Sequence, residues 1–383
     1  MKNNLFRQDI VADARFMVVG CGALGNEVLK NLALMGARHL VAVDFDRVEV
    51  GNLNRSVLFT RQDAETHRRK TEAVAERLVA MNPNLDLTTL DGDIAYDIGL
   101  GWLRRTDVVI GCVDSRWARY CINRLCMRAG IPWVDGGISQ LEGTVRVFRP
   151  GINCYACNLG PEGMDELRQR MPCSGIIRQE EAEGHAPTTS LIASIIGAVQ
   201  VQEALKLVHP AELANGVFTS LCGQMFYYEG RNLSTRTVAF QAYDEECPIH
   251  DKWEPVKETD IPTHITIREA FKRLAHLLNT SNIEIELTDD CFVDFITDRE
   301  TEHNIPVMRP GRQVSLFVEQ DETLHGLPRT CFYQHEYHII DKHFPYADLT
   351  LQQLGLPTWS VLPVTAGNRR HYIELAADKR TDF

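Results

Sequence analysis

Between Met17 and Asp46 the chain reads MVVGCGALGNEVLKNLALMGARHLVAVDFD. An apolar, β-branched run meets Gly20, Gly22 and Gly25. A stretch with Leu24, Val28, Leu32 and Met35 at helical spacing follows, and a second apolar run ends on Asp44. Strand, glycine turn, helix and strand in that order form a unit that brings backbone N–H groups close to a phosphate, with an acid placed for ribose hydroxyls. The glycines and Asp44 fit an adenine nucleotide. They do not separate a redox dinucleotide from ATP.

The alternation continues. HRRKTEAVAERLVAMN reads as a helix closed by Asn82-Pro83, TDVVIGC as a buried strand, SRWARYCINRLCMRAG as a helix ending at Gly130, and IPWVDGG as the next strand. Strands joined by crossover helices predict an α/β domain with a Rossmann-like, doubly wound, mainly parallel sheet. GTVRVFRP alternates like a partly exposed strand. A polar, Gly- and Pro-punctuated segment over 159–187 interrupts the pattern as a crossover loop. Order returns with TTSLIASIIGAVQVQEALKLV, apolar enough to be buried against the sheet or a second subunit, and with three strand-like runs, GVFTSL, QMFYYEG and TRTVAFQ. Composition shifts after CPIHDKWEPVKETDIP. A first domain over 1–250 and a smaller C-terminal α+β domain over 251–383 are therefore expected, and 383 residues suit two domains. The second domain offers an amphipathic helix, TIREAFKRLAHLLN, and a hairpin of WSVLPV and HYIEL turning at TAGNRR.

A net charge of −12 argues against nonspecific nucleic-acid binding and leaves room for a small or basic protein partner. No apolar run is long enough to span a bilayer, and MKNNLFRQDIVADAR lacks the apolar core of a signal peptide, so no membrane partner and a cytoplasmic location are expected. Eleven cysteines suggest reduced thiols, metal ligands or a nucleophile rather than a disulfide framework.

The residues after Asp44 narrow the ligand. DFDRVEVGNLNRSVLF supplies Asp46, Asn52, Asn54 and Arg55, and Lys70 follows on the next helix. Cations placed beyond a ribose-binding acid suit a triphosphate whose charge must be offset during attack at phosphorus. The strand DVVIGCVD delivers Asp114 to the carboxyl edge of the sheet, where a carboxylate facing phosphates calls for Mg2+ between them.

The blocks GCGALG, DFDRVEVGNLNR, CVDSRWARY, VDGGISQLEGTVRVF, CYAC and CPIH, spread from about Arg7 to His250, resemble the ThiF/MoeB-type adenylating enzymes, the family that includes ubiquitin-activating enzymes. The resemblance implies that Asp44 holds the ATP ribose, that Asn52, Arg55 and Lys70 take the phosphates, and that Asp114 takes Mg2+. It also implies that Arg7, in FRQDI, enters the ATP site of the opposite subunit of a homodimer. Two positions depart from the family pattern. Lys70 is preceded by HRR rather than a glycine turn, and Gly51 stands where serine is common.

Cys154 and Cys157 form C-x-x-C, and Cys247 and His250 form C-x-x-H about 90 residues later. Two such pairs suit one tetrahedral zinc site, with a redox dithiol at Cys154 and Cys157 as the alternative. The family commonly has C-x-x-C in both places, so His250 departs from it. Cys173 lies in the crossover loop between Arg170 and Arg178, with Glu180, Glu181 and Glu183 nearby. In the resembling enzymes this segment carries the thiol that receives the activated acyl group; an incidental loop cysteine is the other reading. Cys21, Cys112, Cys121, Cys126 and Cys222 read as packing residues.

The expected activity is adenylation of the C-terminal glycine of a small ubiquitin-like protein by Mg·ATP, followed by a thioester on Cys173 for transfer to a conjugating enzyme. Bacterial operons that pair similar enzymes with these partners in antiphage defence give a setting. Activation of a sulfur carrier for thiamin or molybdopterin synthesis is the alternative within the family. It is less favoured because Cys291 and Cys331 lie in strand-like runs, with no tight anion-binding loop of a rhodanese domain around either. From other classes, a NAD-linked oxidoreductase and a noncatalytic nucleotide-binding scaffold remain.

Overall fold

The computed structural model describes residues 5–160, 162–164, 167, 188–239, 243–321, 323–324 and 331–377. Cys173, with Arg170 and Arg178, lies outside the described residues.

An eight-stranded sheet organises the first two-thirds. Its strands are β1 Arg15–Val19, β2 His39–Val43, β3 Asp86–Leu90, β4 Val108–Gly111, β5 Trp133–Ser139, β6 Glu142–Phe148, β7 Gln224–Glu229 and β8 Ser234–Ala239. They lie in the order β3-β2-β1-β4-β5-β6-β7-β8. The first five are parallel and the last three run antiparallel. Strand order reverses between β1 and β4, which opens a crevice at their carboxyl ends.

The sheet is covered on both faces, and its strands alternate accordingly. Phe16 and Val18 of β1 enter the core on one side, where helices α1 Gln8–Asp13, α2 Ala23–Leu34, α3 Arg61–Glu65 and α4 Lys70–Met81 lie. Met17 and Val19 enter the core on the other, against α5 Leu100–Arg104 and α6 Arg116–Ala129. Each fully buried side chain of this kind, such as Leu29 or Trp133, contributes about 1.5–3 kcal/mol by leaving water. Ser115 caps α6, and Gly130 ends it in the left-handed conformation at φ 75°.

Helix α7 Ser190–Leu207 packs on α2 and β5. Against the expectation that no apolar run could span a bilayer, among the described residues this one helix is long and apolar enough to do so, yet Ile192, Ile196, Val201, Ala204 and Leu205 are buried in the sheet's core. Gly197 lets α2 come close, because a Cβ there would stand 2.9 Å from the Cβ of Glu27.

Two expectations need correction. GVFTSL is not a strand; only Cys222, just after it, bridges Val147. DLTTL, to which the sequence reading assigned nothing, is the edge strand β3. The crossover segment begins in helical conformation, at 160, 162–164 and 167, and Leu167 is buried.

After Val256 the chain forms a five-stranded sheet, with β9 Val256–Glu258, β10 Ile283–Glu286, β14 Ile339–Ile340, β15 Val361–Ala366 and β16 Arg369–Glu374. It also forms a three-stranded one, with β11 Phe292–Asp298, β12 Asn304–Pro310 and β13 Phe332–Tyr337. Helix α8 Pro210–Ala214 precedes them, and α9 Ile267–Leu278 and α10 Val314–Gln320 complete the set described. This C-terminal unit is joined firmly to the first. Glu374, 2% exposed, takes Arg104 and Arg105, and Asp289 takes Arg124 and Arg128. The Trp102 and Trp359 rings meet edge to face at 4.5 Å. Arg312 reaches Asp97 at 3.3 Å, beyond the carboxyl end of β3.

Candidate functional site

The glycine turn sits at the switch point after β1. Gly20 adopts φ 93°, and a Cβ on it would stand 2.5 Å from the carbonyl oxygen of Cys112. A Cβ on Gly25 would stand 1.8 Å from the Gly20 carbonyl oxygen, so neither position accepts a side chain. Gly22 differs: nothing lies within 4 Å of where its Cβ would be. It is the N-cap residue of α2, so the turn presents bare backbone and a helix N-terminus to open space.

Asp44 closes one side of this turn. Its carboxylate accepts from the Cys21 N–H at 2.6 Å and the Asp46 N–H at 2.7 Å, and burial pushes it above the ordinary carboxylate range despite the pull of Lys70. Lys70, the first residue of α4, is 9% exposed. Its Nζ donates to Asp46 Oδ2 at 2.7 Å, and its backbone N–H donates to the Asp46 carbonyl at 3.0 Å. Against burial, which lowers it, Asp44 and Asp46 hold the Lys70 ammonium above its ordinary value. The HRR context therefore still places the lysine among the acids that follow β2.

Asn52 and Arg55 belong to the same segment. Asn52 Oδ1 accepts from the Glu49 N–H at 3.0 Å and so caps the short turn Val50–Asn52. Arg55 Nη1 donates to the Gly51 carbonyl at 2.6 Å. Asp114 is exposed just beyond β4. Arg7 is exposed, ion-paired with Asp9 at 2.6 Å, and its N–H donates to buried His209 Nε2 at 3.1 Å, which anchors the N-terminal segment on the α7–α8 corner.

Three residues that sequence reasoning missed hold this arrangement. Asn26, fully buried in α2, donates to the Cys21 carbonyl at 2.7 Å and the Gly22 carbonyl at 3.0 Å, and accepts from the Leu58 N–H at 2.7 Å. It thereby ties the glycine turn to the segment carrying Asn52 and Arg55. A polar residue on the buried face of an apolar helix was the signal available. Asn26→Leu should lower stability by about 1–3 kcal/mol for each buried group left unpaired, read by urea denaturation, and should raise the KM for nucleotide in any assay the site supports. The other two, Arg119 and Asp135, lie under Asp114: Arg119 Nε donates to Asp135 Oδ1 at 2.9 Å.

The second cluster forms as the spacing suggested. One ligand atom from each of Cys154, Cys157, Cys247 and His250 lies within 4.8 Å of all the others. His250 Nε2 stands 3.2 Å from Cys157 Sγ, with the ring stacked on Tyr243 at 3.9 Å. Its buried Nδ1 has no hydrogen-bond partner, and burial lowers the imidazole's pKa. Three sulfurs and one imidazole nitrogen are the donor set of structural zinc. Burial pushes the Cys154 and Cys247 thiols up. Cys21, Cys121 and Cys126 are buried, and Cys112 and Cys222 partly so.

The open face at Gly22, the acid and cation beside it and the exposed Asp114 carboxylate fit a nucleotide triphosphate with Mg2+, a cation that takes oxygen ligands. Comparison with known proteins bears on the family. The SAMP-activating enzyme E1 of Haloferax volcanii is 29% identical over 242 residues, 63% of this chain and 82% of that enzyme. The sulfur carrier protein ThiS adenylyltransferase of Escherichia coli is 26% identical over 244 residues, 63% of this chain and 88% of the relative. Among solved structures, Escherichia coli MccB with succinimide shares the fold at a TM-score of 0.51 and 19% identity, over 63% of this chain and 68% of that one. The family model for the ThiF family matches residues 4–249, and the chain belongs to that family.

Proposed function

We propose that the chain activates the C-terminal carboxylate of a small ubiquitin-like protein and delivers it as a thioester. The observation that carries this reading is the charged cluster at the switch point, where Lys70 stands among Asp44 and Asp46 beside the open glycine turn. The relatives' names, an activating enzyme and an adenylyltransferase, support the reaction class. In the first step a carboxylate oxygen attacks the α-phosphorus of ATP, the bond to the bridging oxygen breaks, and pyrophosphate leaves. No protein base is needed because the nucleophile is already an anion. Asp44 would hold the ribose, while Asn52, Arg55 and Lys70 would take phosphate oxygens, with Lys70 exchanging Asp46 for a phosphate. Asp114 would hold Mg2+, which when bound offsets the charge on the phosphates. Arg7 of the opposite protomer in a homodimer would add a cation.

In the second step the thiolate of Cys173 attacks the carbonyl of the acyl adenylate, AMP leaves, and a thioester remains. Zinc on Cys154, Cys157, Cys247 and His250 would be structural. We assign residues 1–250 to activation and 251–383 to recruiting a conjugating enzyme, in an antiphage setting. Sulfur-carrier activation shares the first step and is the second reading, supported by the ThiS relative.

Labelled-pyrophosphate exchange into ATP tests the proposal, with candidate small proteins that end in glycine as the carrier. Exchange that depends on such a protein is expected, together with a reductant-sensitive conjugate that Cys173→Ala abolishes while retaining exchange. A thiocarboxylate on the small protein instead of transfer to a second enzyme favours the sulfur reading. NAD binding without ATP binding overturns both. Loss of plaque protection in Cys173→Ala cells checks the setting.

A further inference from the structure

The Asp114 loop is gripped from beneath by a single guanidinium. Arg119, on the first turn of α6, donates Nη2 to the Val113 carbonyl at 2.7 Å and the Gly136 carbonyl at 3.2 Å. Its Nη1 donates to the Asp114 carbonyl at 3.3 Å, and its Nε to Asp135 Oδ1 at 2.9 Å. The side chain is only 13% exposed. Asp135 is fully buried on β5, and its other oxygen accepts from Arg146 Nε of β6 at 2.9 Å. Ser115 accepts from the Ala118 N–H at 3.0 Å and fixes the chain just past Asp114.

An ion pair that served stability alone would need only the contact with Asp135. Arg119 instead commits its two terminal nitrogens to three backbone carbonyls, and two of these belong to Val113 and Asp114. The planar guanidinium can make those contacts together; an ammonium cannot span them. With the peptide units on both sides of the Asp114 α-carbon held, the direction in which its side chain leaves the sheet edge is set.

We propose that Arg119 is a positioning residue for the divalent cation: by holding the Val113 and Asp114 carbonyls on the buried Asp135, it aims the Asp114 carboxylate at the nucleotide crevice. This rests on the reading of Asp114 as the Mg2+ ligand. Asp135 is the acid on which Arg119 is seated; Arg146, from β6, takes that acid's other oxygen and does not touch the Asp114 loop.

The test uses the full chain with a nonhydrolysable ATP analogue and Mn2+ as the probe, whose binding is read by electron paramagnetic resonance. Arg119→Lys keeps a cation against Asp135 and should weaken Mn2+ binding about tenfold, as loss of a contact behind a metal ligand does, with AMP affinity unchanged by calorimetry. Arg146→Lys disturbs the same buried acid without touching the Asp114 loop and should leave Mn2+ binding near the parent value. Equal weakening by both variants would mean that Arg119 acts only through general stability, and the inference falls. Asp114→Asn separates the two layers. If it binds Mn2+ like the parent, the reading of Asp114 falls and the inference with it; if it loses Mn2+ while Arg119→Lys retains it, the inference alone falls. Should Arg119→Lys fail to fold, Arg119→Gln with Asp135→Asn removes both charges and carries the same expectation.

Discussion

Lys70→Ala should slow carrier-dependent pyrophosphate exchange by about two to three orders of magnitude, the effect typical of removing one donor aimed at developing charge. The structure gives two reasons for so large a loss. The ammonium is nearly buried and is the cation that Asp44 and Asp46 face, so its removal leaves two carboxylates beside the place where a triphosphate must enter. Asp44 also loses the positive charge that opposes the effect of burial on its pKa. The sign is definite: the variant's Asp44 titrates at higher pH than the parent's, so the acidic limb of the residual activity should move upward in pH. Lys70→Arg keeps the charge and should recover part of the rate with the limb near its original position. A Lys70→Ala enzyme within threefold of the parent would remove Lys70 from the phosphate site.

The second large effect concerns the sulfur cluster. Cys247→Ser, or stripping with a strong chelator, should remove one equivalent of bound zinc and lower unfolding stability by up to about 4.6 kcal/mol, the loop-closure value for a cross-link spanning on the order of 90 residues. The cluster joins the segment after β6 to the segment that precedes β9, so its loss frees the return of the chain to the first sheet. Zinc content by atomic absorption and the urea midpoint are the measurements. Cys126→Ser, a buried thiol outside the cluster, should leave zinc content at one equivalent. Purified chain that carries no zinc and loses no stability in Cys247→Ser would end the metal reading.

Much of the first sheet was legible because its central strands are continuous apolar runs and its helices carry their own stop signals, such as Asn82 and Gly130. The hairpin turning at Gly367 was legible for the same reason, from short-range turn chemistry. The failures have a physical pattern. β3 lies at the sheet's edge, with Thr88 half-buried, Thr89 exposed and a leading aspartate, so no apolar run announces it. GVFTSL has the composition of a strand but pairs with nothing beyond Cys222, because β6 already has β7 beside it. The cluster of Cys154, Cys157, Cys247 and His250 was readable from spacing, since metal ligands keep a fixed separation within each pair. Arg119 and Asp135 were not, because they come from a helix and a strand that meet only in the folded sheet, and each looks like an ordinary surface charge in the sequence. Asn26 was overlooked in the same way: its role depends on Leu58, which is distant along the chain.

The join between the two units bears on how the chain is dissected and on what it measures out. Cutting it near residue 250 would strip Arg104, Arg105, Arg124 and Arg128 of their acids and lay Trp102 open to water. A shortened protein that lacks activity would then report a damaged border rather than a missing docking platform. In the intact chain the same border acts as a ruler. Under the proposed function, a conjugating enzyme seated on the C-terminal unit would be held at a set distance and angle from the nucleotide edge, and the choice of acceptor would then rest on reach as well as on affinity.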